Sequence, residues 1–435
     1  MKTRALACAV SSFALAAPGR AADAPRPLSL EQAFARALTS NLALGRARSE
    51  VAAARGQRRA ALALVLPRLA VSGSAVRNSD EVTFGSGDDS RTILPRNDWN
   101  VRLTLQQPLF AGLREKRAYD QARLGLESAG EGLRGSEDAV LLQVAADYLA
   151  AVQGETLLDV EGKGLELARG RKAHAASLHE AGEATRVDVL RADTAIKAAE
   201  RRLLQARQLR DAAAGRLRVE LALDEEIAVS EPELALPPLP DAASLARRAE
   251  AARADVVQAQ RALAIAELEV AKQRGAHLPV ITADAGYVRQ RTTFPKDEYG
   301  FAALRFSVPL FQAGEVGARI AIARERSRQA ALALEEARRR AREEVRTALL
   351  DLQAAVGNAG LADEQRKAAE AEHEQMLDLY RNQEATALDL ESAETSLAEA
   401  RRAVVNGRLE RKLAELRAWF AAGSLKAAIQ KEVAP

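Results

Sequence analysis

The chain has 435 residues, of which 48% are hydrophobic but only 4% aromatic, so alanine and leucine supply most of the apolar content. Charged residues make up 28% and nearly balance, at 63 basic against 60 acidic, which gives no polyanion-binding bias and speaks against a nucleic-acid partner. An Ala/Leu/Glu/Arg-rich chain with interspersed signs describes long helices with solvated faces rather than ordinary globules.

In chain order, Lys2 and Arg4 precede an apolar run over 5–17 and then Pro18-Gly19-Arg20-Ala21-Ala22, so residues 1–22 read as a cleavable secretory signal peptide. The run is too short to span a bilayer. The only cysteine, Cys8, lies inside it and reads as an apolar leader residue rather than a lipid acceptor, because Ala5 stands where an acceptor motif prefers leucine. The mature chain is then free of thiol and disulfide chemistry. No later stretch has the roughly 18 consecutive apolar residues of a transmembrane helix, which leaves an exported soluble protein or a β-barrel.

Residues 28–65 read as one helix with Ser29 as its cap, stopped by Leu66-Pro67, since the residue before proline is pushed out of the α region. Strand 69–76, a loop over 78–97 that includes Gly85-Ser86-Gly87-Asp88-Asp89, and strand 98–106 follow. In the last, Trp99, Val101, Leu103 and Leu105 alternate with Asn100, Arg102, Thr104 and Gln106. Segments of about ten residues with one apolar and one polar face are what a membrane barrel strand requires. Pro108-Leu109-Phe110-Ala111-Gly112 closes that strand and opens a helical segment reaching about residue 179 without proline. A turn at Ala181-Gly182-Glu183 leads into a return helix over 185–221.

A proline-rich linker, 224–240, leads to a second passage through the same order. It comprises helix 241–275, Leu278-Pro279, strands 280–288 and 299–308 and then Pro309-Leu310-Phe311. A long helix to about 380, a turn near Asn382-Gln383-Glu384 and a return helix over 386–421 complete it. The tail after Gly423 is expected to be loosely ordered. A displacement of 201 residues relates Pro108–Phe110 to Pro309–Phe311 and Glu183–Asp188 to Glu384–Asp389, whereas the two Leu-Pro stops are 212 apart. One unit is therefore written twice, over 23–223 and 241–421, with 422–435 as a tail.

Nine of the 16 aromatic residues fall in the two strand windows, 67–112 and 279–314, among them Trp99, Phe110, Tyr287, Phe294, Phe306 and Phe311. Rings at strand ends suit the lipid headgroup level. No chemistry competes with this reading. The four histidines, 174, 179, 277 and 373, lack the spacing of a metal site, and Gly85-Ser86-Gly87 lacks the lysine of a phosphate loop. No nucleophile–base pair is evident, so neither catalysis, cofactor nor metal is expected.

The doubled motifs, Pro108-Leu109-Phe110 with Pro309-Leu310-Phe311, the paired Leu-Pro stops, and Gly182…Thr185…Asp188-Val189-Leu190 with Thr386…Asp389-Leu390, resemble the TolC family of outer-membrane efflux factors over about 28–421. The resemblance implies a mainly α protein with a membrane β-barrel. Three chains would share twelve strands above a long periplasmic α-barrel, anchored in outer-membrane lipid. Four strands cannot close a barrel and open edges do not survive in lipid, so association is required; the residues alone allow eight strands from two chains or twelve from three.

The implied function is the exit duct of a tripartite efflux pump, passing small molecules such as drugs or metal ions from an inner-membrane transporter outward. Type I protein secretion, or a periplasmic helical scaffold or adaptor, remain as alternatives. By the same resemblance, Gly182, Thr185, Asp188, Thr386 and Asp389 belong to the tip where a periplasmic adaptor docks, and Asp389 with Glu391 to the periplasmic aperture. Pro108, Phe110, Pro309 and Phe311 mark the barrel-to-helix junction. Where some family members carry a second acidic residue, three positions after Asp389, this chain has Ser392. An acidic ring at Asp389 would favour cations; a helix-capping carboxylate is the equally weighted alternative.

Overall fold

The computed structural model describes residues 27–85, 87, 91–232, 236–292, 296–382 and 384–433. The leader expected over 1–22 with Cys8, most of the 85–89 loop segment, Phe294 and Gln383 lie outside the described residues.

Strand β1 (Pro27–Leu28) leads into α1 (Leu30–Ser40), which opens with a reciprocal capping box. The Gln32 N–H donates to Ser29 Oγ at 3.2 Å and the Ser29 N–H to Gln32 Oε1 at 3.1 Å. The single helix expected over 28–65 is broken at Asn41. That residue is extended, and its side-chain oxygen accepts from the N–H groups of Ala43 at 2.8 Å and Leu44 at 3.3 Å, starting α2 (Leu42–Leu62). The second unit breaks in the same place, 212 residues later. Arg253 separates α5 (Ala242–Ala252) from α6 (Ala254–Arg274), with no side-chain cap but a guanidinium tied to Asp255 at 2.8 Å and Glu344 at 2.5 Å.

Both Leu-Pro stops release extended chain. Strands β2 (Arg68–Arg77), β5 (Asn97–Ala111), β7 (Val280–Gln290) and β8 (Glu298–Ser307) form one antiparallel sheet in the order β2-β5-β7-β8. The segment expected as plain loop over 78–97 contains a small hairpin of its own, β3 (Val82–Phe84) with β4 (Arg91–Leu94). Register places Val71, Leu103, Tyr287 and Gly300 in one row across the sheet, and Leu69, Leu105, Ala285 and Ala302 in another. This face is apolar and open to the surroundings. On the opposite face Arg305 pairs with the buried Asp284 at 3.1 Å, and the Phe301 ring covers Gly286 while Arg102 lies 5.9 Å from that ring's centroid. A Cβ on Gly286 would meet the ring at 2.7 Å, so the glycine makes room for it.

Helices α3 (Arg114–Glu180) and α7 (Glu315–Arg381) have 67 residues each. At about 1.5 Å per residue each is a rod of about 100 Å. In its lower half each rod is paired by its return helix, α4 (Arg186–Leu221) or α8 (Ala387–Ala421); in its upper half the lateral order is α2-α3-α6-α7. Among the described residues no helix is long and apolar enough to cross a membrane. Of the four glycines between 125 and 135 on the first rod, two have a reason. A Cβ on Gly132 would meet Gln258 at 2.7 Å and one on Gly135 would meet Ala254 at 2.8 Å, whereas Gly125 and Gly130 face open space.

The main core lies midway along the rods, around the fully buried Tyr148. Its hydroxyl sits 2.8 Å from the carbonyl oxygens of both Leu28 and Ser230 and accepts from the Ser230 N–H at 3.2 Å. It thereby fastens β1 and the linker strand β6 (Ala228–Val229), which pair in parallel, to the first rod. As far as Val433 the tail is helical, contrary to the expected loose order. Helix α9 (Leu425–Val433) buries Leu425, Ala428 and Ile429 in this core, and the Lys426 N–H donates to Asp138 at 2.8 Å. Burial raises the Asp138 carboxyl against that bond and the nearby cations.

Candidate functional site

The two hairpin tips are built alike. At the first, Gly182 takes φ 81°, the left-handed conformation that ends a helix without a Cβ clash. Thr185 then caps α4: its N–H and Oγ1 donate to Asp188 Oδ2 at 2.9 and 2.7 Å, and the Asp188 N–H returns to Oγ1 at 3.4 Å. At the second, Thr386 N–H and Oγ1 donate to Asp389 Oδ2 at 3.0 and 2.6 Å, with a 3.3 Å return bond. Bonds from the threonine hydroxyl and backbone hold both carboxyls below their usual values, so both are anionic at neutral pH. Asp389 therefore does act as a helix cap, through Oδ2.

A groove of about 370 Å³ separates the two tips, lined in part by Arg171, His174, Leu178, Asp188, Tyr380 and Glu391. Glu391 faces this groove, whereas Asp389 is not among its lining residues. Two positions apart on a helix, the two carboxylates point to different sides. The structure brings Asp188, expected at the tip, and Glu391, expected at the aperture, to the groove, and leaves Thr386 and Asp389 together at the start of α8.

The residues that join the hairpins were not visible as a motif. Arg171 on α3 meets Glu394 on α8 at 2.8 Å, with His373 of α7 at 4.0 Å from the same carboxylate. Burial raises the Glu394 carboxyl despite the Arg171 guanidinium beside it. Deeper along the rods the buried Glu161 on α3 accepts from Arg202 on α4 at 3.1 Å and from Arg402 on α8 at 2.5 Å. One signal was available: Asp193, which pairs with Lys172 at 2.5 Å, recurs 201 residues later as Glu394.

The junction motifs behave differently in the two units. Pro108 and Phe110 belong to β5, which pairs with β7 through an irregularity at Leu109; a residue without an N–H is suited to such a bulge. Pro309 and Phe311 lie beyond the end of β8. Both copies then enter their rods through two consecutive left-handed residues, Gly112-Leu113 and Ala313-Gly314. At Gly112 the backbone of Gly275 passes so close that a Cβ would stand 2.0 Å from its carbonyl oxygen.

An amphipathic antiparallel sheet carried on two helical hairpins of about 100 Å defines a mainly helical protein with a membrane-type sheet on a long stalk. The family of this architecture is found by comparison: the outer membrane efflux protein family matches residues 34–222 and 245–424, and the chain belongs to that family. The protein is accordingly one of the outer membrane. Its similarity to the outer membrane efflux protein BepC of Brucella suis biovar 1 (strain 1330) is 24% identity over 347 residues, 78% of this chain and 75% of BepC. It is 27% identical over 274 residues to the alkaline protease secretion protein AprF of Pseudomonas aeruginosa, covering 58% of this chain and 55% of AprF. The fold superimposes on the crystal structure of CusC with a TM-score of 0.80 at 19% identity, covering 92% of this chain and 93% of CusC.

Proposed function

We propose that the chain is one of three identical subunits of an outer-membrane exit duct. The three sheets would close a twelve-stranded barrel and the hairpins a periplasmic tube below it. The observation that carries this reading is the sheet: four strands with a continuous apolar face and two unpaired edges, β2 and β8. Such a sheet is stable in lipid only when closed by further strands. The hairpin tips would receive a periplasmic adaptor, which links the duct to an inner-membrane transporter. Asp389 and Glu391 would present acidic groups near the closed end, Asp389 through the oxygen not used for capping. Small molecules such as drugs or metal ions are the proposed cargo. The similarity to AprF, whose name records protease secretion, favours the outer-membrane step of type I protein secretion as a second reading.

The test is to recover the protein from detergent-extracted outer membranes and run it with and without heating. A heat-modifiable band of three copies supports the duct; recovery as a soluble periplasmic monomer overturns it in favour of a scaffold or adaptor.

A further inference from the structure

Helix α2 ascends to the sheet with an unbalanced charge, five arginines against the single acid Glu50. Arg55, Arg58 and Arg59, in its last turns, are exposed, and their side chains have no ion-pair or hydrogen-bond partner among the described residues. Beyond them Leu62 is 42% exposed and Leu66 48%; Pro67 then opens β2, where Leu69 begins the apolar face. At about 1.5 Å per residue Arg59 lies about 12 Å below Pro67, and its extended side chain shortens that gap to the membrane face.

Packing does not ask for these arginines. The 212-residue displacement places Glu267, Val270 and Ala271 of α6 where α2 has Arg55, Arg58 and Arg59. The same helix-to-strand junction is thus built once without a basic cluster. What differs is the surroundings: α6 lies between α3 and α7, whereas α2 stands at the lateral end of the row.

Chirality fixes the side on which the cluster stands. Gln290, on the polar face of the ascending strand β7, donates its N–H to Asp297 O at 2.8 Å, toward β8. For an L-residue on an ascending strand with its side chain toward the viewer, N–H and C=O lie on the right. Seen from the apolar face, therefore, β8 lies left of β7 and, by the sheet order, β5 lies left of β2. Helix α3 continues β5, so it lies left of α2. Ala54 is the buried residue of this half of α2, turned to α3. At about 100° per residue, Arg55, Arg59 and Leu62 form a stripe about a quarter turn clockwise from it along the ascending helix, which is the side of the apolar face. The flank opposite α3 holds Ala52 and Gly56, so a lateral neighbour would cover those and not the arginines.

Resting on the outer-membrane duct reading, we propose that the end of α2 binds anionic phospholipid headgroups of the periplasmic leaflet. The guanidinium groups of Arg55, Arg58 and Arg59 meet phosphate oxygens, whose geometry they match bidentately, and Leu62 and Leu66 meet the acyl chains. Repeated around the duct, these sites form a basic collar that sets its height in the bilayer. Each basic residue beside a membrane contributes about fivefold in affinity.

Native mass spectrometry of the whole purified oligomer tests this, with dioleoylphosphatidylglycerol titrated beside dioleoylphosphatidylcholine. Arg55→Gln/Arg58→Gln/Arg59→Gln is compared with Arg169→Gln/Arg201→Gln/Arg207→Gln, which removes the same charge from exposed positions of the lower hairpin. Heat-modifiable migration establishes assembly of each variant beforehand.

The expected result is a preference of at least about tenfold for phosphatidylglycerol in wild type and control. Binding should weaken about a hundredfold in the α2 triple variant and about fivefold in Arg59→Gln, which alone decides if the triple variant does not assemble. Intact oligomers with no headgroup preference, or with equal losses in both triple variants, overturn the lipid site and leave the duct intact. Displacement of the lipid by millimolar inorganic phosphate also overturns it, making this a free-anion site. Recovery as a soluble monomer overturns the duct and the collar together.

Discussion

Replacing Glu161 by glutamine removes a buried carboxylate that bridges the two hairpins deep in the rods. Glu161 accepts two charge-assisted bonds, from Arg202 of its own hairpin and from Arg402 of the other, while only about a twentieth of its surface is exposed. Bonds to charged groups contribute about 1.5–3 kcal/mol each. Here the guanidinium side chains are 38% and 26% exposed and rehydrate when released, which argues for the low end. Glutamine keeps the volume and one weaker acceptor, so a net loss of about 2 kcal/mol is expected.

Because 1.4 kcal/mol is a factor of about ten, local opening should become about 30-fold more populated. Hydrogen exchange of the detergent-solubilised protein reads this directly, at amides flanking 161 on α3 and 402 on α8. Arg402→Met should accelerate exchange on α3 and α8 but spare α4, whereas Arg202→Met should affect α3 and α4. A change below about threefold in Glu161→Gln, or an identical pattern for the two arginine variants, would refute the bridge.

Two further predictions concern glycine contacts and acid stability. Gly275→Ala should destabilise by about 1–3 kcal/mol, since its Cβ would stand 2.2 Å from the Gly112 carbonyl oxygen. Gly125→Ala, in open space on α3, should stabilise by about 0.5–1 kcal/mol; thermal melts by circular dichroism that rank the two the other way would contradict the close approach. Glu269 on α6 is opposed by burial, but bonds from Gln121, Gln273 and Lys272 outweigh it and bring its carboxyl down to about 2. A folded pKa below the unfolded one means stability that is complete above the ordinary carboxylate value and is lost as pH falls toward 2. Glu269→Gln should therefore flatten the acid limb of stability below about pH 4.5, and an unchanged limb in a denaturant titration would dismiss its role.

Much of this architecture was legible because its signals are local or repeated. The rods were placed to within a few residues by unbroken helical periodicity between a Pro-Leu-Phe stop and a polar turn, at Gly182 in the first copy and Asn382 in the second. The barrel strands followed from alternation at Trp99–Leu105 and from the Leu-Pro stops. Breaks at Asn41 and Arg253 were missed for different reasons. Asn41 is a strong cap whose neighbours keep helical periodicity on both sides; Arg253 has no cap bond and takes part of its support from Glu344, 91 residues away. The order of α9 depends on a core assembled from α1, α3 and α8, which no window around 425–433 contains. The bridging carboxylates Glu161 and Glu394 look like any solvated helix charge until two hairpins are brought together. The tips were partly legible: a capping role for Asp389 was an expectation from its place at the start of a return helix, but that Glu391 rather than Asp389 lines a groove needs the second hairpin.

The most direct test of the duct is single-channel conductance of the purified oligomer in a planar bilayer, wild type beside Asp389→Asn. Discrete cation-preferring steps that grow in the variant are expected, and steps unaffected by the substitution would keep the duct while leaving Asp389 as a cap alone. Intact, heat-modifiable oligomers that insert but pass no current, with or without the substitution, would contradict the account.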